Sequence, residues 1–110
     1  MTKSLFPETS VTAVNQENFD IYIGRKVTTR FAQSPFHNPF RIGYDGERAE
    51  VLLKFLNYWY APEQKHLRRL AVKELVGKRI ACWCKPLSCH GDIIAGYVNW
   101  RSGEEVSTHL

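Results

Sequence analysis

The chain of 110 residues has no apolar run near the ~20 residues that a membrane helix needs. No apolar segment follows Lys3 near the N-terminus, so no secretory leader is expected. Internal repeats and low-complexity tracts are missing too, which sets aside solenoids and disordered linkers. Cysteine is scarce: three residues, an odd number, all between positions 82 and 89. That count does not suit a disulfide framework. Cys82 and Cys84, alternate residues on one strand face, are too close for an easy mutual bridge. A reducing, cytoplasmic location with free or metal-bound thiols is the expectation. Charge of one sign is not dominant either. Fifteen Lys and Arg against 11 Asp and Glu leave +4 at pH 7, which tolerates a small anion such as a nucleotide and admits nucleic acid without demanding it.

What is present suits one small globular domain. The apolar fraction of 44% is too high for a disordered chain, and 13% aromatic residues predict a core and pocket walls rich in rings. Residues 1–10 read as a flexible arm, 11–101 as a single α/β domain and 102–110, beyond Arg101, as a polar tail. Val11–Val14 and the alternating Phe19, Ile21, Ile23 read as two short strands, which turn residues 15–18 would join as a hairpin or corner.

From Arg25 to Gly46 no helix or strand pattern appears. A loop this long in so small a domain is uncommon and usually functional, and Phe31, Phe36, Phe40, Ile42 and Tyr44 should anchor it. Asp45 would cap a largely buried helix over 47–60, with Ala49, Leu52, Leu53, Leu56 and Tyr60 on its apolar face and Val51, Phe55 and Trp59 widening it. Pro62 opens a second helix, with Leu67, Leu70, Ala71 and Leu75 inward and Gly77 at its end. Its Lys65, Arg68, Arg69 and Lys73 read as a solvated face before they read as a phosphate-contacting stripe. The continuous Ile80, Ala81, Cys82, Trp83 predicts a central strand over 79–84. Ser88 would cap a third helix, with Ile93, Ile94, Tyr97, Val98 and Trp100 inward. The order predicts a small Rossmann-like α/β sandwich of two or three layers on a short, mostly parallel sheet.

The chemistry concentrates at the strand–turn–helix over residues 82–92. Ligands of parallel sheets bind beyond the strands' C-terminal ends, where the first amides of a helix can hold an anion. Three readings stay open. In the first, Cys89 at the helix start is an activated nucleophile, His90 an acid or base, and Asp92 a support. In the second, Cys82, Cys84, Cys89 and His90 ligate zinc, although their spacing is unusual and neighbouring Cys and His diverge on a helix. In the third, the cysteines are small core residues and Cys89 and His90 merely open a helix.

Ile21-Tyr22-Ile23-Gly24-Arg25, Asn38-Pro39-Phe40, Arg48, and the pair Cys82-Trp83-Cys84 and Cys89-His90-Gly91-Asp92 together resemble the domain of unknown function 4326 family, over residues 11–100. That family, found in bacteria and phages, carries no established activity. His37 stands where the family usually has Gly before Asn-Pro-Phe. The resemblance implies that Arg25, Asn38, Phe40, Arg48, Cys84 and Gly91 join Cys89, His90 and Asp92 around one pocket. Arg25 and Arg48 would clamp a phosphate or carboxylate, and Asn38 would read a base or amide.

The expected function is binding of a nucleotide or nucleic-acid-derived anion, with a hydrolase or transferase reaction at the Cys/His turn. Two alternatives stand beside it. One is a non-catalytic, zinc-stabilised module docking on a host protein or nucleic acid. The other is an interaction protein that uses the rings of Phe31, Phe36 and Phe40.

Overall fold

Ile80, Ala81 and Cys82 are fully buried, so their strand must have a neighbour on each side. A computed structural model, which describes residues 8–15 and 18–108 with side chains through Gly103, shows how the chain supplies them. The elements are β1 (Ser10–Ala13), β2 (Ile21–Tyr22), α1 (Arg48–Tyr60), a 3-10 turn (Pro62–Gln64), α2 (Lys65–Leu75), β3 (Arg79–Cys82) and α3 (His90–Thr108). The sheet order is β1-β3-β2, and both pairings are parallel. This is a small α/β domain with an open three-stranded parallel sheet, as the element order predicts.

β1 and β2 are therefore not a hairpin. Both lie parallel to β3, in registers Val11↔Ile80 and Ile21↔Ile80. The apolar continuity of β3 prevails over the turn chemistry between β1 and β2, because a strand buried on both faces belongs in the centre. Asp20 and Ile23 extend the pairing beyond β2 through N–H bonds to the carbonyls of Arg79 (2.9 Å) and Ala81 (3.1 Å).

α1 is rotated from its expected facing. Its buried residues are Val51, Phe55 and Trp59, while Leu53 (59% exposed), Leu56 and Tyr60 face outward. Two apolar stripes compete on this helix, so periodicity alone does not fix its rotation. The rings decide it. Phe55 stacks on Trp59 with centroids 6.0 Å apart and meets the edge of His90 at 5.1 Å, and Trp59 meets Tyr97 at 5.8 Å. Full burial of a Phe-sized side chain contributes about 1.5–3 kcal/mol. The cap is Glu47 rather than Asp45: Glu50 accepts the Glu47 N–H (3.2 Å) in a capping box. Asp45 instead closes the preceding turn, accepting the Arg41 N–H at 2.8 Å.

α2 buries Leu67, Ala71 and Leu75, and Gly77 follows it with φ +73. Thr9, within the expected arm, is buried. Its hydroxyl donates to the Leu75 carbonyl (2.8 Å), and its backbone exchanges two hydrogen bonds with the Asn99 amide. Residues 1–7 of the expected arm lie outside the described residues. α3 continues through the expected tail to Thr108. Ile94 and Val98 are buried in it, whereas Trp100 is exposed.

Candidate functional site

β2 and β3 end side by side, and the chain leaves each end by a loop. After β2 comes the 23–46 segment, which has no helix or strand, only one bridge between Val27 and Phe31. Short-range bonds fix it. Ser34 donates its N–H to the Gly24 carbonyl (3.0 Å), and the Asn38 side-chain oxygen accepts the Phe40 N–H (2.9 Å). Phe36 is buried in the core, and Phe31 stacks on Tyr22 at 4.2 Å. Ile42 and Tyr44 do not anchor the loop. They are exposed, Tyr44 by 85%. His37 has no positive φ, and its Nδ1 bonds the Ser34 carbonyl at 2.7 Å, so the turn is made without glycine there.

After β3 comes the turn that holds the cis Lys85–Pro86 peptide and leads into α3. Between the two loops and the start of α1 lies a cleft of about 520 Å³. Arg25, Lys26, Arg41 and Arg48 line it, and no described Asp or Glu does. Arg25 donates Nη2–H to the Phe40 carbonyl (2.7 Å) and Arg48 donates Nη1–H to the Ser88 carbonyl (2.9 Å). Each bond orients a guanidinium while engaging one of its five donors. Tyr22, Phe40, Tyr44 and Trp83 supply aromatic surface. Trp83, expected in the core, is 47% exposed at the rim, where its Nε1–H donates to the Tyr22 hydroxyl at 2.9 Å.

Cys82, Cys89 and His90 lie on the floor. The Cys82 side chain hydrogen bonds that of Cys89, which lowers the Cys89 thiol to about 7, and the Gly91 and Asp92 N–H groups at the helix start act the same way. Burial and the Asp92 charge oppose this. The same pairing, with burial, pushes Cys82 up, so Cys89 is the more acidic of the two thiols. Burial lowers His90 to about 4, against the pull of the Ile23 and Phe36 carbonyls. Its Nε2 bonds the Ile23 carbonyl at 2.9 Å, which assigns the proton to Nε2 and turns Nδ1 toward Cys82 Sγ, 3.9 Å away.

A family model described as domain of unknown function (DUF4326) matches residues 9–100. The chain belongs to the DUF4326 family. No curated protein and no solved structure matches it.

Of the family's motif residues, the fold brings Arg25, Asn38, Phe40, Arg48, Cys84, Cys89 and His90 to this DUF4326 cleft. Gly91 and Asp92 stand behind it. A Cβ on Gly91 would meet Ile23 and Val11 at 3.0 Å and the Cys89 sulfur at 3.3 Å, so glycine lets α3 start close against the sheet. Asp92 accepts the Cys89 N–H (3.1 Å) and pairs with Lys85 rather than orienting His90. His90 turns its Nδ1 toward Cys82 rather than Cys89.

Among the described residues no three His, Cys, Asp or Glu side chains converge as a metal set. β3 ends at Cys82, leaving Cys84 in the turn rather than on the same strand face, and His90 Nε2 is held by a carbonyl. The charged and aromatic cleft residues missed by sequence reasoning are Tyr22, Lys26, Arg41, Tyr44 and Trp83. Tyr22 has a signal, standing in the Tyr-x-Gly-Arg strand end. The others sit at positions whose facing depends on the loop's path.

Proposed function

We propose that the cleft binds a nucleotide or a nucleic-acid-derived anion and presents it to Cys89 as the nucleophile of a hydrolase or transferase reaction. The observation that carries this is one concave surface with four cations, no described carboxylate, an aromatic rim and the Cys89 thiol, lowered toward neutrality, on its floor. Guanidinium groups suit phosphate, and rings suit the base. The NH₂ end of Asn38 is available for a base or amide, since its oxygen closes the turn to Phe40. Cys89 Sγ attacks an electrophilic carbon or phosphorus, and the leaving group departs with the bond's electron pair. Water or a second acceptor then releases Cys89. His90, buried and neutral, is a positioning residue for the thiol pair in this scheme.

Calorimetric titration with nucleoside mono- and diphosphates and a short single-stranded oligonucleotide tests the reading. Saturable binding that weakens with salt and falls at least tenfold in Arg48→Ala is expected. Absence of binding to every probe, or unchanged affinity in both Arg25→Ala and Arg48→Ala, overturns it.

A further inference from the structure

The cleft floor holds two buried thiols where the proposed reaction uses one. Cys82 closes β3 and Cys89 directly precedes α3, so the strand end and the helix start place both buried side chains on one cleft floor across a short turn. We propose that Cys82 and Cys89 are a reversible dithiol that a small hydroperoxide oxidises to an intramolecular disulfide, with Cys89 reacting first and Cys82 resolving. This rests on the proposed reactivity of Cys89 but not on any nucleotide.

The helix start assigns the roles, because Cys89 directly precedes α3 whereas Cys82 ends β3. Backbone N–H groups of Gly91 and Asp92 and the Cys82 thiol all stabilise negative charge on Cys89. Cys82 lacks the helix amides. Cys89 is only 2% exposed, so a compact oxidant is needed to reach it through the cleft. Its Sγ attacks one peroxide oxygen, and the O–O bond breaks. Sulfur keeps a hydroxyl as sulfenic acid, and the departing hydroxide takes a proton to become water. Cys82 then attacks that sulfur while losing its proton. The S–S bond forms, the S–O bond breaks, and the hydroxyl leaves as a second water. The two thiols lose two electrons and two protons in total, and one peroxide becomes two waters. Nδ1 of His90, 3.9 Å from Cys82 Sγ, lies within reach of the proton that Cys82 gives up. The product removes the nucleophile, so the cleft would be inactive until reduced.

The test treats the reduced protein with hydrogen peroxide, blocks remaining thiols by alkylation, and maps the peptides without reduction. A mass lower by two hydrogens, a Cys82–Cys89 linked peptide, an alkylated Cys84 and reversal by dithiothreitol are expected. In Cys82→Ala, dimedone should capture sulfenic acid at Cys89. The wild-type map decides even where that variant fails to fold. A linkage through Cys84, an intermolecular disulfide, over-oxidation of Cys89 with Cys82 left free, or no oxidation overturns the proposal. Nucleotide binding measured on the reduced protein is a separate reading. Binding without the disulfide sinks only the redox pair, and the disulfide without binding sinks only the proposed function.

Discussion

Two basic hollows mark this molecule, and their cations are held for different purposes. The larger lies beyond the ends of β2 and β3. The smaller, about 370 Å³, lies between α2 and α3 and is walled by Lys65, Arg68, Arg69, Val72, Tyr97 and Arg101. Arg68 is the informative member. Its Nη1 donates to the carbonyls of Trp59 (2.6 Å) and Ala61 (2.8 Å), so it closes the C-terminal end of α1, and its charge also lies over the Tyr60 ring at 6.0 Å. In the larger cleft Arg25 and Arg48 also bond carbonyls, but those carbonyls belong to the two loops that form the walls. There the backbone orients the cations toward a shared space floored by Cys82, Cys89 and His90. A positive patch is thus a candidate site where the frame aims it at reactive groups. Where a guanidinium caps a helix it is part of the frame.

The sharpest break between the two hollows is chemical. Cys89→Ala should abolish turnover of any substrate found and remove the pH-dependent thiol reaction with iodoacetamide, a reagent small enough to enter the cleft. In the wild-type protein that reaction should gain rate as pH rises through about 7 and lose it as pH falls below, because the thiolate is the reactive form. Stopped alkylation followed by mass mapping assigns the site. A full-rate reaction in Cys89→Ala would remove Cys89 as the nucleophile.

Next in size is the contrast between cations. Arg48→Ala should weaken nucleotide binding at least tenfold, or about 1.4 kcal/mol and more. Arg69→Ala, in the smaller hollow, should leave it within twofold. Equal losses from both would mean that overall charge, not the cleft, attracts the ligand. Calorimetry at two salt concentrations separates these, since non-specific attraction is screened.

The fold beneath the larger cleft gives a pH signature of its own. His90 is buried neutral, with its folded value of about 4 below its ordinary 6.5. The unfolded chain therefore takes up this proton before the folded one does. Its contribution to stability is complete above pH 6.5 and is lost as pH falls toward about 4, on the order of 3 kcal/mol in full. Chemical denaturation of wild-type and His90→Gln protein across this range isolates the effect. The difference in stability between the two should change with pH in that window, and a constant difference would show that the imidazole titrates normally.

How far all this was legible follows from which signals are local. The central β3 and the inward face of α2 follow from runs and periodicity, and both stand in the structure. The pairing of β1 and β2 does not, because hairpin and parallel placement share the same short-range pattern. α1 carries apolar residues on more than one face, and only the ring contacts of Phe55 and Trp59 with elements distant in sequence select one of them. For the site, Cys89 was legible from its place at a predicted helix start, whereas Arg25, Asn38, Phe40 and Arg48 were legible only through the family resemblance. Trp83 was not. It follows three buried residues, and only the end of β3 at Cys82 turns it to the rim. The shared floor of Cys82 and Cys89 was equally hidden: in a strand Cys82 would match Cys84, but the turn returns Cys89 to the same cleft and buried cluster.

The smallest expected effect bears on the other hollow and tests whether its arginine is structural. Arg68→Met keeps much of the aliphatic stem and removes the donors to the Trp59 and Ala61 carbonyls. Hydrogen bonds from a charged donor contribute about 1.5–3 kcal/mol, and water can replace part of the loss at this half-buried site, so a cost of about 1–2 kcal/mol is expected. Arg69→Met, exposed on the same helix, should cost under about 0.5 kcal/mol. Denaturant midpoints at unchanged slope measure both. Ligand affinity is the discriminating companion reading: Arg68→Met should lower the midpoint and leave nucleotide binding alone, the reverse of Arg48→Ala. If Arg68→Met instead lost binding at full stability, the smaller hollow would be a ligand site and the separation between frame and site drawn from these two regions would fail.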